Sequence, residues 1–230
     1  AQYNLGNMYS RGEGVKPDRK EAIRWYQKAA EQGHVKAQYN LGLAYEEGND
    51  VKMDKKKAAD WYKKAAEQGD VASQVNLSIM YSEGEGVPKN LKTAAKWMKY
   101  AAMEGDDVAQ FNIGLMYYDG AGVHQDKKEA IRWYKKSAEQ GNATAMFDLA
   151  TMYDTGDGIP EDNKEAIKWY TKAAENGYAD AQINLGIMYL DGEGVQQDKA
   201  RGIMYLKMAA DQGDEHAQKV LQKVLRSLGL

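Results

Sequence analysis

Residues 37–69 read AQYNLGLAYEEGNDVKMDKKKAADWYKKAAEQG, and the fold is decided by how regularly this stretch returns. Its opening, AQYNLGLAYEEGNDV at Ala37, matches AQYNLGNMYSRGEGV at Ala1 and SQVNLSIMYSEGEGV at Ser73. It comes back as AQFNIGLMYYDGAGV at Ala109, AMFDLATMYDTGDGI at Ala145 and AQINLGIMYLDGEGV at Ala181. The spacing is 36 residues each time, without insertion, and a fixed period of that size marks a stacked repeat architecture. Six repeats follow, at 1–36, 37–72, 73–108, 109–144, 145–180 and 181–216. A seventh start, AQKVLQKVLRSLGL, fills 217–230. Positions within a repeat are counted from Ala1, so Ala37 and Ser73 both stand at position 1.

Each repeat predicts two helices joined by a turn. Gly12, Gly48, Gly84, Gly120, Gly156 and Gly192 end the first, where a left-handed residue closes a helix. Asp18, Asp54, Asn90, Asp126, Asp162 and Asp198 open the second as N-caps, and Gly33 and its equivalents close it. Glu21, Glu129 and Glu165, three residues past their caps, predict capping boxes. The apolar stripe of the first helix is read at positions 1, 5, 8 and 9: Ala37, Leu41, Ala44 and Tyr45. In the second helix, Ala58, Trp61, Tyr62, Ala65 and Ala66 form the matching stripe. Small alanine pairs let helices approach while Trp25, Trp61, Trp97, Trp133 and Trp169 fill the remaining volume. One repeat cannot cover such faces alone, so the repeats must stack and their ends need capping. The last helix is read as a C-terminal cap, with Leu221, Val224, Leu225 and Leu228 inward and Lys219, Gln222, Lys223 and Arg226 outward. Nothing equivalent precedes Ala1, which predicts an exposed N-terminal face and leaves self-association through that repeat open. The fold class is therefore an all-α solenoid of six helix–turn–helix repeats plus a C-terminal capping helix.

Composition narrows the function. Of 230 residues, 28% are charged and 43% hydrophobic, a foldable balance, with a net charge of only −3. That charge steers toward neither nucleic acid nor anionic membranes. No apolar run reaches the length of a membrane-spanning helix. The absence of Cys excludes disulfides and thiolate metal sites and leaves the compartment open.

The pattern A-x-x-N-L-G-x-M-Y-x-x-G-x-G-V, then D, then A-x-x-W-Y-x-x-A-A-x-x-G, resembles the Sel-one-like repeat (SLR) family, a relative of the tetratricopeptide repeats. It covers essentially the whole chain. The resemblance implies a right-handed superhelix whose first helices line the concave side. It also implies an adaptor or scaffold for protein partners, often in bacterial signalling, envelope or host-interaction settings. Cysteine-rich members staple each repeat with a disulfide; this chain relies on packing. Asp50 replaces the second loop glycine in repeat two, and Val87-Pro88-Lys89-Asn90 alters the turn in repeat three.

Opposite the first helix's core stripe lie positions 3, 4, 7, 10 and 11, where a ligand would sit. Position 4 is a ladder of Asn4, Asn40, Asn76, Asn112, Asp148 and Asn184. A carboxamide donates and accepts, so it can pair with the backbone of an extended peptide whatever its sequence. It can equally satisfy a neighbouring repeat at the helix seam. The groove positions carry seven acids, Glu46, Glu47, Glu83, Asp119, Asp148, Asp154 and Asp191, against one base, Arg11. Most stand on the helix's last turn, where the dipole disfavours anions, which hints at retention for function. The alternative is pairing with lysines of neighbouring second helices. Leu43, Ile79, Leu115 and Ile187 at position 7, with Tyr118 at position 10, are candidate apolar anchors; position 3, as in Val75, Phe111 and Ile183, is read as buried. Lys55-Lys56-Lys57, Lys63-Lys64 and Lys135-Lys136 read as a solvated outer face.

The sequence carries no catalytic or metal-binding constellation. His34, His124 and His216 sit in separate turns, so no metal cluster or His-based triad is supported. Asp154-Thr155-Gly156 falls at a helix end, and the G-x-G pairs lack a preceding strand. No serine starts an S-x-x-K, the motif of penicillin-recognising enzymes. The reading is a non-enzymatic scaffold without cofactor that binds an extended peptide or partner tail, basic and apolar, on its concave face. The alternative is a structural spacer or self-assembling solenoid.

Overall fold

The computed structural model describes residues 1–227, and among these every regular element is an α-helix. The chain forms two compact units, Ala1–Gln125 and the remainder from Asp126. The first holds α1 (Gln2–Arg11), α2 (Arg19–Glu31), α3 (Val35–Glu47), α4 (Lys55–Ala66), α5 (Val71–Glu83), α6 (Leu91–Met103) and α7 (Asp107–Asp119). The second holds α8 (Lys127–Glu139), α9 (Ala143–Thr155), α10 (Asn163–Glu175), α11 (Ala179–Asp191), α12 (Lys199–Asp211) and α13 (Glu215–Ser227). Within each unit a helix packs chiefly on its neighbours in the chain, as a stacked repeat requires.

The helix stops are where the glycines put them. Gly12, Gly48, Gly84, Gly120, Gly156 and Gly192 are all left-handed C-caps, with φ between 68° and 82°. Helix starts differ from the sequence reading in two ways. First, α3, α5, α7 and α9 begin two residues before position 1. The side chains of His34, Asp70, Asp106 and Asn142, at position 34 of the preceding repeat, cap them by accepting from Ala37, Ser73, Ala109 and Ala145 N–H. Secondly, the capping boxes are half made. Asp18 accepts from Glu21 N–H and Asp162 from Glu165 N–H, but the glutamate carboxylates turn outward to Arg24 and Lys168. They are not needed as caps: Asp18 and Asp162 N–H already donate to the Tyr9 and Tyr153 carbonyls. Asp54, Asn90 and Asp198 close onto Tyr45, Tyr81 and Tyr189 at 2.8 Å, so the altered turn of repeat three closes like the others.

The core stripe of the first helices is rotated from the expected one. Positions 1, 2, 5 and 6 are buried in α3, as Ala37, Gln38, Leu41 and Gly42, whereas Ala44 and Tyr45 are half-buried. Gly42 is there because the Tyr62 ring of α4 lies against its backbone; a Cβ would fall 2.4 Å from that ring. Gln38, Gln74, Gln110 and Gln182 are buried because each Nε2 donates across the seam to an alanine carbonyl of the previous repeat, at 3.0–3.2 Å. Each such bond is a second one to a helix-end carbonyl that already accepts from the glycine N–H three residues on, as Ala30 does from Gly33. Trp97, Trp133 and Trp169 are buried; Trp25 and Trp61 are half-buried. In α13, Ala217, Val220, Leu221 and Val224 pack against Ile183, Leu206 and Ala209, with Lys219, Gln222, Lys223 and Arg226 exposed. Leu228 lies outside the described residues. No described helix is long and apolar enough to cross a membrane.

Candidate functional site

The second-helix tyrosine at position 26 organises the face on which the ligand positions lie. It is buried by the small residues at positions 1 and 6, which pushes the pKa of Tyr26, Tyr62 and Tyr170 up. A buried hydroxyl must find partners, and these come from the first helices of its own repeat and the next. Tyr26 donates to Asn7 Oδ1 at 2.8 Å, and Ser10 and Asn40 stand near its hydroxyl and partly offset the effect of burial on its pKa. Tyr62 donates to the Glu46 carboxylate, which raises its pKa further, and Asn76 faces its hydroxyl from the next repeat. In the second unit Asn184 Nδ2 donates to Tyr170 Oη at 3.1 Å, while Tyr170 also meets Thr151 and Asp154.

The ladder asparagines Asn40, Asn76 and Asn184 thus face a tyrosine hydroxyl across the seam between repeats, and Asn184 is hydrogen-bonded to it. One N–H used in this way leaves a carboxamide its second N–H and its oxygen. Asn4 is exposed, and Met98 occupies the tyrosine position before Asn112, so the Asn112 carboxamide has no such tyrosine to meet. Asp148 is half-buried, and burial alone pushes its carboxyl pKa up to about 6.

The acids split into two groups. Glu46 and Asp154, at position 10, accept from the tyrosines of their own repeats. Glu47, Glu83, Asp119 and Asp191, at position 11, are exposed. Among the described residues none of the seven acids forms an ion pair, so pairing with second-helix lysines does not account for them. Glu47 instead accepts from Asn49 in its own turn. Of the position-7 anchors, Ile79 is 45% exposed, and Leu43, Leu115 and Ile187 are half-buried, as is Tyr118. Position 3 is fully buried only at Ile183; elsewhere its rings lie against the position-26 tyrosines, Tyr39 on Tyr62 at 6.0 Å and Phe147 on Tyr170 at 5.8 Å.

In the first unit these features meet. Ser10 of α1, Tyr26 of α2, and Asn40, Leu43 and Glu47 of α3 line an open cavity of about 340 Å³. It offers a hydroxyl, a carboxamide, an apolar wall and an exposed carboxylate within one recess.

The sequence profile of the Sel1 repeat matches this chain six times, at residues 1–34, 35–70, 71–106, 107–142, 143–178 and 179–214. The chain belongs to the Sel1-repeat family. From the second onward, the profile's windows begin two residues before the periodic strings, just past position 34 of the preceding repeat. The curated proteins gave no match. Among solved structures, this Sel1-repeat chain is similar to c5321, a protective antigen of uropathogenic Escherichia coli strains with an SLR fold. Identity is 38% and TM-score 0.90 over 98% of this chain and 48% of that one. The chain therefore spans about half the length of that protein. A Sel1-repeat protein from Oxalobacter formigenes is 39% identical with TM-score 0.70, over 90% of this chain and 83% of that one. The fold class is thus the α-solenoid of the Sel1 repeats, a repeat scaffold whose members bind protein partners.

Proposed function

We propose that the chain is a protein-interaction scaffold that holds an extended, basic and apolar segment of a partner on its first-helix faces. The observation that carries this reading is the recess around Tyr26, where Asn40, Leu43 and Glu47 stand together and the one cation of the lining, Arg19, faces Asp50 instead of Glu47. In the first unit the same set continues as Asn76, Ile79 and Glu83 and as Asn112, Leu115, Tyr118 and Asp119. In the second it is Asp148, then Asn184, Ile187 and Asp191. Apolar side chains of the segment fit against position 7, its backbone against the free half of the position-4 carboxamides, and its Lys or Arg against position 11. Exposed carboxylates at a helix C-terminus weaken the helix slightly, so their recurrence favours a use in recognition.

The test is selection from a displayed library of random extended peptides. The parent is compared with Glu47→Gln/Glu83→Gln/Asp119→Asn, which touches none of the tyrosine hydrogen bonds. The parent should enrich peptides rich in Lys or Arg with apolar neighbours, and the neutral variant should lose the basic preference while circular dichroism stays unchanged. Enrichment of acidic peptides, or of none, would overturn the reading. A concentration-dependent mass with no peptide enriched would instead identify a self-assembling module.

A further inference from the structure

The buried glutamine at position 2 needs two partners, and one repeat fails to supply both. Its Nε2 is always spent on the alanine carbonyl of the previous repeat, which leaves Oε1 to be satisfied. In repeat two Gln68 Nε2 donates to Gln38 Oε1 at 2.7 Å, and in repeat six Gln212 Nε2 donates to Gln182 Oε1 at 2.8 Å. The donor stands at position 32. In repeat five both members change together: Met146 replaces the glutamine, and Asn176 lies 3.9 Å from its sulfur. Repeat three changes only the donor. Gln74 is retained, 4% exposed and bonded to the Ala66 carbonyl at 3.2 Å, but position 32 is Glu104, whose carboxylate only accepts. Gln74 Oε1 is therefore buried without a hydrogen-bond partner.

That glutamine lines a cavity of about 680 Å³ between α4, α5 and α6. Trp97 and Tyr100 form one wall, edge to face at 5.6 Å. Glu104 stands on the cavity and enters no ion pair among the described residues. The two local lysines are engaged elsewhere: Lys63 faces Glu67, and Lys96 sits over the Trp97 and Tyr100 rings. An acceptor that lacks a donor, a carboxylate that lacks a cation and a pair of aromatic faces share one recess.

We propose that this cavity is a second binding site, distinct from the first-helix faces, and that it takes an arginine side chain of a partner protein. A guanidinium carries five N–H donors in a planar fork. It can donate to Gln74 Oε1 and to the Glu104 carboxylate together while its flat face displaces the flexible Lys96 ammonium from the Trp97 and Tyr100 rings. An ammonium lacks the plane, and a neutral carboxamide lacks the charge. The site replaces from outside the donor that Gln68 and Gln212 supply from within in repeats two and six.

The experiment titrates the full chain with N-acetyl-arginine amide, N-acetyl-lysine amide and N-acetyl-glutamine amide. It follows the Gln74 side-chain NH₂ and the Trp97 indole N–H by NMR. The arginine probe should move both signals and bind most tightly. Glu104→Gln restores the internal donor, so it should weaken arginine binding at least tenfold and raise the unfolding temperature. Gln74→Met reproduces the residue of repeat five, keeps the fold by circular dichroism and should lose binding as well. Glu47→Gln, which belongs to the proposed peptide face, should leave this titration unchanged, so the two sites succeed or fail separately. Equal arginine binding by the parent and Glu104→Gln, no movement of the Gln74 and Trp97 signals, or tighter binding of the lysine or glutamine probe would each overturn the proposal.

Discussion

A carboxylate at Asp148 stands where Asn184 bonds to a tyrosine and Asn40 and Asn76 face one, and burial has pushed its pKa up to about 6. The folded chain thus binds this proton more tightly than the unfolded chain does, whose carboxyl titrates near 4. The stability that protonation adds is complete below about pH 4 and is lost as pH rises through 6. At pH 7 the buried charge is a burden. Asp148→Asn should therefore stabilise the protein at neutral pH by roughly 2 kcal/mol and flatten the stability profile between about pH 4 and 6, as urea midpoints at several pH values will show. The mirror experiment is Asn184→Ala, which deletes the donor to Tyr170 at 3.1 Å and should cost about 1 kcal/mol by the same measurement. Both substitutions sit on the ladder that the sequence displays plainly. What the sequence leaves open there is the division of labour, because the partner of each asparagine is a tyrosine oxygen 14 residues earlier in the chain, as in Asn184 and Tyr170.

Helix ends were almost fully legible, since left-handed glycines and short polar caps act through the residues beside them. The core stripe was legible only in part. Periodicity marks apolar positions, but Gln38 and Gly42 are buried for reasons of another kind: one adds a hydrogen bond to a helix-end carbonyl of the previous repeat, the other yields its volume to Tyr62. The loops show the same dependence on a neighbour. Gly86, with φ 71°, lies so close to the start of α4 that a Cβ would fall 2.2 Å from the Lys55 carbonyl oxygen. Gly86→Ala should cost roughly 2–3 kcal/mol, from strain and collision together. Asp50, its counterpart in repeat two, already holds φ 61° as a non-glycine residue. Asp50→Gly should gain about 0.5 kcal/mol, because relief of the left-handed backbone is partly offset by a looser unfolded chain. Thermal unfolding of the two single variants separates these effects by sign.

At the scale of the whole chain, stability is a sum of repeats and of the seams between them. Trp169 is 3% exposed in α10, and Trp169→Ala should cost roughly 3–5 kcal/mol. Hydrogen exchange should place that loss in the helices of the second unit, with α1 to α4 keeping their protection. Uniform loss of protection across both units would contradict a stability carried by near neighbours. The seams have a further consequence for how such a chain can change. Gln38 reaches the Ala30 carbonyl, Gln74 the Ala66 carbonyl and Gln182 the Ala174 carbonyl, always eight residues back, while Asn40 and Asn76 each meet the tyrosine 14 residues back. If residues 37–72 are excised, Gln74 inherits Ala30 and Asn76 inherits Tyr26 at unchanged offsets. Unequal recombination between copies of the coding sequence therefore yields, in one step, a shorter or longer protein whose new joint is already fitted.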